Sequence, residues 1–271
     1  MHTSCYWQMK LKLAYSPCPN DTFMFGALVL GLIPHAYDFE VVLEDIKDLN
    51  SLARQQQADV CKVSFYAYTQ LQGWSLLDSG AALGQGVGPL LVARQPIQDL
   101  AQTHIAIPGA DTTANLLLAF YAPQARHKTV RLFSEIMPAV AAGEYDAGLI
   151  IHESRFTYPQ YGLLQLADLG SYWEQQTQLP IPLGGIVARE SLRPDVRADL
   201  ARLIRASIAY ARQQPEAVLP YVRAHAQEME ETVMLQHIAL YVNDYSLELG
   251  QKGRAAVEKL RAVAEQLKKD N

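Results

Sequence analysis

The chain has 271 residues, of which 49% are hydrophobic and 19% charged, a composition typical of a globular protein. The net charge of −5 argues against nucleic acid as the main partner, because binding to phosphates favours a basic surface. No apolar run approaches the roughly 20 residues that span a bilayer, so we expect no membrane span.

The N-terminal residues and the cysteines indicate a cytoplasmic protein. Residues 1–8 lack the basic and apolar regions of a secretory signal, and the natural start stays open between the first two methionines. The three cysteines, Cys5, Cys18 and Cys61, form no CxxC pair and suggest no disulfide framework, which fits a reducing compartment.

Short apolar runs alternate with helical patterns along the chain. The predicted strands or extended segments cover residues 11–15, 39–43, 59–64, 88–93, 104–107, 129–133, 146–151 and 185–188. The predicted helices cover residues 21–32, 46–56, 113–121, 135–142, 195–213 and 253–269, and Pro215 is placed to start another. This alternation predicts an α/β fold with a mostly parallel sheet and right-handed crossovers.

The alternation runs twice, which predicts two lobes. We expect the helical C-terminal third to pack back on the first lobe, so that the chain crosses between lobes near residues 91–94 and 183–187. Lobe 1 then comprises residues 1–92 and 187–271, and lobe 2 comprises residues 93–186. Two crossings form a hinge, and hinged lobes close over a ligand in a central cleft.

Ligands of such sheets bind at the carboxyl ends of the strands, so polar residues at those ends are candidate site residues. The loop after the first predicted strand contains Ser16, Asn20 and Asp21 together with two prolines. This pattern fits either a rigid capped turn or a backbone shaped to contact a ligand. Cys18 in the same loop is better explained as a packed thiol than as a reactive one.

Hydroxyl residues follow two further strands. Ser64 ends the strand at 59–64 beside aromatic residues, and it suits either a ligand contact or a helix N-cap. Thr112 and Thr113 lie where a strand passes into a helix, and the free N–H groups and dipole of a helix terminus favour an anion. Capping by Asp111 or Thr112 is the alternative explanation, and we favour a bound carboxylate.

His152 is the strongest candidate for chemistry. It follows an apolar strand that would carry it to the rim of the sheet, and an imidazole with a pKa of about 6.5 exchanges protons at neutral pH. A structural role is the alternative. No GxSxG, HExxH or acidic cluster with metal spacing is present, and the glycines between 84 and 88 are interpreted as a flexible approach to the hinge. The remaining histidines are expected to be structural or solvated: His2, His35, His104, His127, His225 and His237.

Five stretches make the sequence similar to the 1,4-dihydroxy-6-naphthoate synthases of the futalosine route to menaquinone. They are LAYSPCPNDTFMF at 13–25, ADVCKVSFYAY at 58–68, GQGVGPLLVAR at 84–94, IHESRFTY at 151–158 and NDYSLELGQKGR at 243–254. SPCPNDT and IHESRFTY are the most specific parts, and the resemblance covers nearly the whole chain after Met9.

The resemblance implies the two-lobed fold of type II periplasmic binding proteins. It also implies a carbon–carbon lyase that converts a small molecule, cyclic dehypoxanthinyl futalosine, to 1,4-dihydroxy-6-naphthoate without a cofactor or metal. The proposed base of the family corresponds to His152 and its ligand-contacting serine to Ser64. Its helix-terminal carboxylate contacts correspond to Thr112 and Thr113. The oligomeric state stays open.

Two alternatives share this fold. One is a chorismate dehydratase of the same route, against which the SPCPNDT stretch argues because it resembles the synthases. The other is a non-catalytic cytoplasmic binding protein for a small carboxylate, since a fold does not fix a function. The missing secretory signal and the histidine at a strand end argue against the second alternative.

Overall fold

The computed structural model of the protein describes residues 9–226 and 230–269. Residues 1–8, including Cys5, lie outside the described residues. The strands are β1 (Met9–Tyr15), β2 (Tyr37–Leu43), β3 (Val60–Ser64), β4 (Trp74–Leu76), β5 (Ala82–Gly84), β6 (Leu90–Ala93), β7 (Ile105–Ile107), β8 (Lys128–Val130), β9 (Ala147–Ile150), β10 (Leu164–Asp168) and β11 (Ile181–Arg189).

Helices connect and cover these strands. They are α1 (Pro19–Val29), α2 (Ile46–Arg54), α3 (Phe65–Tyr68), α4 (Thr113–Tyr121), α5 (Phe133–Ala142), α6 (Ser154–Thr157), α7 (Leu169–Thr177), α8 (Pro194–Gln213), α9 (Pro215–His225), α10 (Glu231–Tyr241), α11 (Asp244–Leu247) and α12 (Gly250–Lys269). Two short 3₁₀-helices cover Leu100–Gln102 and Tyr158–Tyr161. None of the described helices is long and apolar enough to cross a membrane.

The first sheet has the order β2-β1-β3-β11-β4, and β5 also pairs with β11. β1 runs parallel to β2 and β3, whereas β11 runs antiparallel to β3, β4 and β5. β3 is central and all five of its residues are buried, as expected for a strand covered on both faces. This arrangement brings the carboxyl ends of β1 and β3 side by side.

The second sheet has the order β10-β6-β9-β7-β8. β7 runs parallel to β8 and β9, whereas β6 runs antiparallel to β9 and β10. The parallel pairing places the carboxyl ends of β7 and β9 at one edge of the sheet. Apolar side chains of α5 pack on this sheet around the buried residues Val92, Ala106 and Ile150.

The C-terminal helices complete both lobes. α8, α9 and α10 pack around α1, which is buried along almost its whole length, with Phe25, Leu203 and Val218 in the shared core. α12 packs on α3 and β11 of the first sheet and also on α4, so Leu260 and Leu117 share a second core. α8 to α10 thus pack on the helix that follows β1 of the first sheet, while α12 contacts elements of both sheets, and the assignment of the C-terminal third to the first lobe stays a prediction.

The elements predicted from the sequence occur at or near their expected positions, but the prediction of a mostly parallel sheet is wrong. β6 and β11 enter their sheets from the other lobe and run antiparallel to their neighbours. The reason is that the right-handed βαβ rule enforces parallel pairing only when a crossover returns to the same sheet. The predicted strand at 129–133 ends at Val130, because Phe133 starts α5, and α7, β10 and α10 were not predicted.

The chain passes between the sheets after β5 and again before β11. Each of β6 and β11 belongs to a single sheet. The lobe boundaries expected at 92/93 and 186/187 fall inside these two strands, and they stay a prediction. Gly88 lies in the first crossing. A side chain there would come within 2.2 Å of the Gly170 Cα atom, so the close approach of the two segments requires glycine.

Candidate functional site

A cavity of about 90 Å³ lies between the two sheets, at the carboxyl ends of β1, β3, β7 and β9. Apolar side chains form part of its walls, among them Ile46, Val87, Ile151 and Leu183. All seven residues predicted for the site line this cavity: Ser16, Asn20, Asp21, Ser64, Thr112, Thr113 and His152.

A strained turn after β9 places His152 in the cavity. Its φ is +55°, a left-handed conformation that residues other than glycine rarely adopt. The four residues of β9 are buried, so the strand fixes the start of this turn. A histidine at a position where glycine would be less strained is typical of a functional site.

Three side chains surround the imidazole of His152. Its Nδ1 lies 3.7 Å from the Cys18 sulfur, the Phe133 ring meets it at a centroid distance of 5.1 Å, and the His237 ring stacks on it at 6.0 Å. Burial lowers the pKa of His152 below its ordinary value and outweighs nearby carboxylates such as Asp45, which raise it, so the ring is neutral at pH 7. Burial also raises the pKa of the Cys18 thiol well above its ordinary value, which argues against a thiolate nucleophile.

A buried ion pair lies under the first loop. Lys62 Nζ is 2.9 Å from Asp21 Oδ1, and the two side chains are 5% and 2% exposed. The Ser16 hydroxyl and the Asn20 amide also donate to the Asp21 carboxylate, at 2.7 and 2.8 Å, and these bonds offset part of the cost of burying its charge. Lys62 therefore supplies the positive charge that balances the buried Asp21 carboxylate. Among the described residues, no group of three or more His, Cys, Asp or Glu side chains is arranged to hold a metal ion.

Ser64 acts both as a helix cap and as a contact between the lobes. Its oxygen accepts from Ala67 N at 3.1 Å at the start of α3, and its hydroxyl donates to the Asp111 carbonyl at 2.8 Å. Asn50 Nδ2 lies 3.3 Å from the same carbonyl, and Arg54 pairs with the Asp111 carboxylate. These contacts hold the loop before α4 against the first lobe.

The hydroxyls of Thr112 and Thr113 are engaged within the protein. Thr112 caps α4 by accepting from Asn115 N at 3.2 Å and donates to the Gly109 carbonyl at 2.8 Å. Thr113 donates to the Leu183 carbonyl at 2.9 Å and accepts from Tyr66 N at 3.1 Å. A carboxylate needs donors, and each hydroxyl has a single hydrogen. The donors left for an anion at this terminus are therefore backbone N–H groups of the first turn of α4.

Four further residues with titratable side chains lie at the site and were not predicted. Lys62 and Tyr241 line the cavity, while His237 and Glu153 lie behind His152. Lys62 could have been found, because one charge inside a short apolar strand requires a buried partner. His237 lies in a helix with no distinctive pattern, and it is fully buried rather than solvated.

Two curated relatives match nearly the whole chain. The 1,4-dihydroxy-6-naphthoate synthase of Thermus thermophilus is 49% identical over 256 residues, which cover 94% of each chain. The enzyme of the same name from Streptomyces coelicolor is 48% identical over 265 residues, covering 95% of this chain and 94% of its own. The family model described as menaquinone biosynthesis matches residues 11–266.

Solved structures confirm the predicted two-lobed fold. A protein from Archaeoglobus fulgidus superposes with a TM-score of 0.91 at 35% identity over 98% of both chains. The periplasmic aliphatic sulphonate binding protein of Escherichia coli gives 0.67 at 14% identity, covering 96% of this chain and 87% of its own, so it supports the fold alone. The chain therefore belongs to the menaquinone biosynthesis family, in the group represented by these 1,4-dihydroxy-6-naphthoate synthases.

Proposed function

We propose that the protein converts cyclic dehypoxanthinyl futalosine to 1,4-dihydroxy-6-naphthoate as a carbon–carbon lyase, with His152 as the general base. The observation that carries this proposal is the position of His152. A neutral imidazole on a strained turn faces a cavity between two lobes, in a chain 49% identical to a naphthoate synthase. The cytoplasmic location expected from the sequence stays a prediction.

We propose Nε2 of His152 as the basic atom. A neutral imidazole carries one hydrogen, and Nε2 accepts a proton only if that hydrogen is on Nδ1. In this tautomer Nδ1 would donate to the Cys18 sulfur, which lies 3.7 Å away, whereas in the opposite tautomer the thiol would donate to Nδ1. We therefore assign Cys18 a positioning role rather than a covalent one.

The start of α4 suits the carboxylate of the proposed substrate. Backbone N–H groups and the helix dipole supply the attraction there without a charged side chain. The apolar walls at Ile46, Val87 and Leu183 suit the faces of a bicyclic ring system. In the proposed sequence of steps, His152 removes a proton, and the sugar-derived ring opens by a retro-aldol-like cleavage of a carbon–carbon bond. Eliminations then release the remaining carbon fragment of the former ribose and lead to the aromatic product. Closure of the lobes would exclude water from the reactive intermediates.

Incubation of the purified protein with cyclic dehypoxanthinyl futalosine tests the proposal. We expect 1,4-dihydroxy-6-naphthoate, detected by mass and absorbance, and no turnover of chorismate in a parallel reaction. Dehydration of chorismate would instead identify the sister enzyme of the route. Recovery of both compounds unchanged, with saturable binding of a carboxylate, would identify a binding protein.

A further inference from the structure

Glu153 and His237 form a pair behind His152 that the mechanism above does not use. His237 in α10 is completely buried, and Glu153 directly follows His152 in the chain. His237 Nδ1 and Glu153 Oε2 lie 3.7 Å apart, and neither of these buried atoms has a hydrogen-bond partner among the described residues. Leaving two such atoms unpaired costs stability, so their mutual approach needs an explanation.

The hydrogen bonds of Asn20 fix the hydrogen on His237. The Asn20 amide nitrogen donates to Asp21 Oδ1 at 2.8 Å, so the Asn20 carbonyl oxygen faces His237 Nε2 at 2.9 Å. A carbonyl oxygen only accepts, so Nε2 must carry a hydrogen. In a neutral ring Nδ1 is then an acceptor, and it faces Glu153.

An ionised Glu153 would place one acceptor against another. The 3.7 Å separation is about 1 Å longer than a hydrogen bond, and a proton between the two atoms would allow it to close. That proton belongs either to an imidazolium or to a carboxylic acid. Burial lowers the pKa of His237 well below its ordinary value, and the neighbouring His152 lowers it further, which favours the acid.

We propose that Glu153 is a neutral carboxylic acid that donates a hydrogen bond to His237 Nδ1, and that the two are positioning residues for His152. The role in catalysis rests on the proposed function of His152. The His237 ring lies within 12° of parallel to the His152 ring and packs against Tyr241 at 4.6 Å, so fixing one ring orients the other. Apolar sites in other enzymes also keep a carboxylic acid neutral so that it can donate a hydrogen bond.

Two uncharged variants of Glu153 separate the loss of hydrogen-bond donation from the loss of the carboxyl group. Glu153→Gln keeps a donor for His237 Nδ1, whereas Glu153→Leu has a similar volume and no donor. We expect E153Q to retain most of the wild-type kcat and E153L to lose roughly 10- to 100-fold, by analogy with the loss of groups that orient metal-binding histidines. Equal losses in the two variants would overturn the proposal.

The pH profile of kcat/KM tests the charge of Glu153. The acid limb of this profile is the fall in kcat/KM as His152 takes up a proton. If Glu153 is a neutral acid, its replacement by an amide leaves this limb in place, whereas replacement of a carboxylate moves the limb to lower pH. Asp45→Asn is the matched control, because the Asp45 charge raises the pKa of His152 and its loss should move the limb to lower pH. A limb that moves in E153Q as it does in D45N contradicts the proposal. Apart from Glu153, the groups that face His152 are Cys18, Asp21, Asp45, Lys62 and His237.

Nitrogen NMR of histidine-labelled, substrate-free protein gives a result that does not depend on the reaction. We expect His237 to be a neutral ring with its hydrogen on Nε2 and a hydrogen-bonded Nδ1. In E153L, the Nδ1 signal should move to that of an unbonded nitrogen, and thermal unfolding checks that the variant is folded. An imidazolium at His237 at neutral pH, or an unbonded Nδ1 in the wild type, would overturn the proposal even if the naphthoate product is formed.

Discussion

Two walls of the cavity handle charge in different ways. The histidine wall consists of His152, Asp21 and Lys62, with Cys18 and other groups behind them, and it is rich in titratable side chains. The helix wall is the start of α4, where threonine hydroxyls are engaged internally and the available donors are backbone N–H groups. The histidine wall suits proton transfer, and the helix wall suits the binding of an anion.

The walls also differ in how they are built. The capping of the helix wall involves consecutive residues, because Thr112 caps its own helix, and contacts of Thr113 with Leu183 and Tyr66 hold the wall from outside. The histidine wall joins β3, α1, the turn after β9 and α10, which are distant in the sequence. Changes in the histidine wall should therefore alter turnover and stability more than changes in the helix wall, and the following predictions test that difference.

The largest effect is expected from His152→Gln. Loss of the base should lower kcat by about 10²- to 10⁴-fold, while KM changes little because the helix wall is intact. Steady-state kinetics with saturating substrate measures both values. His127→Gln is the control, because His127 is exposed and lies outside the cavity. A near-normal kcat in H152Q would remove His152 from the mechanism.

Breaking the buried ion pair should destabilise the fold. Lys62→Met leaves the Asp21 carboxylate buried without its cation, and the free energy of unfolding should fall by about 3–5 kcal/mol. Urea denaturation measures this loss. The double variant Asp21→Asn with Lys62→Met removes both charges and should recover much of it. If the single and double variants are equally unstable, charge burial is not the cause.

The pH dependence should show a neutral base. His152 must be deprotonated to act, and burial lowers its pKa, so kcat/KM should stay level from pH 7 down to below the ordinary pKa of histidine. Under more acidic conditions it should fall about tenfold per pH unit as the ring takes up a proton. An acid limb above the ordinary value would show that neighbouring carboxylates outweigh burial.

The smallest effect is expected at the helix wall. Thr112→Ala removes the cap of α4 and should cost about 1 kcal/mol of stability, with a modest rise in KM and little change in kcat. Thr112→Ser keeps the hydroxyl and serves as the control. A loss of kcat in T112A as large as that in H152Q would mean that the two walls are not separate in function.

The sequence predicted the parts of the site that depend on neighbouring residues. An apolar run followed by a histidine predicted a residue at the rim of a sheet, and His152 lines the cavity. A strand that passes into a helix at Thr112 predicted a capped terminus, which the structure contains. Strand alternation did not predict the antiparallel β6 and β11, because their direction depends on which lobe the chain comes from.

The sequence by itself predicted many of the strands and helices, the family and the candidate base, because periodicity and short motifs are local properties of the chain. Only the tertiary structure brought His237 and Glu153 behind His152 and paired Lys62 with Asp21. The physical reason is that buried polar groups are stabilised by partners that the fold supplies from distant segments. The sequence contains these residues, but the partner and the protonation state of each depend on three-dimensional contacts.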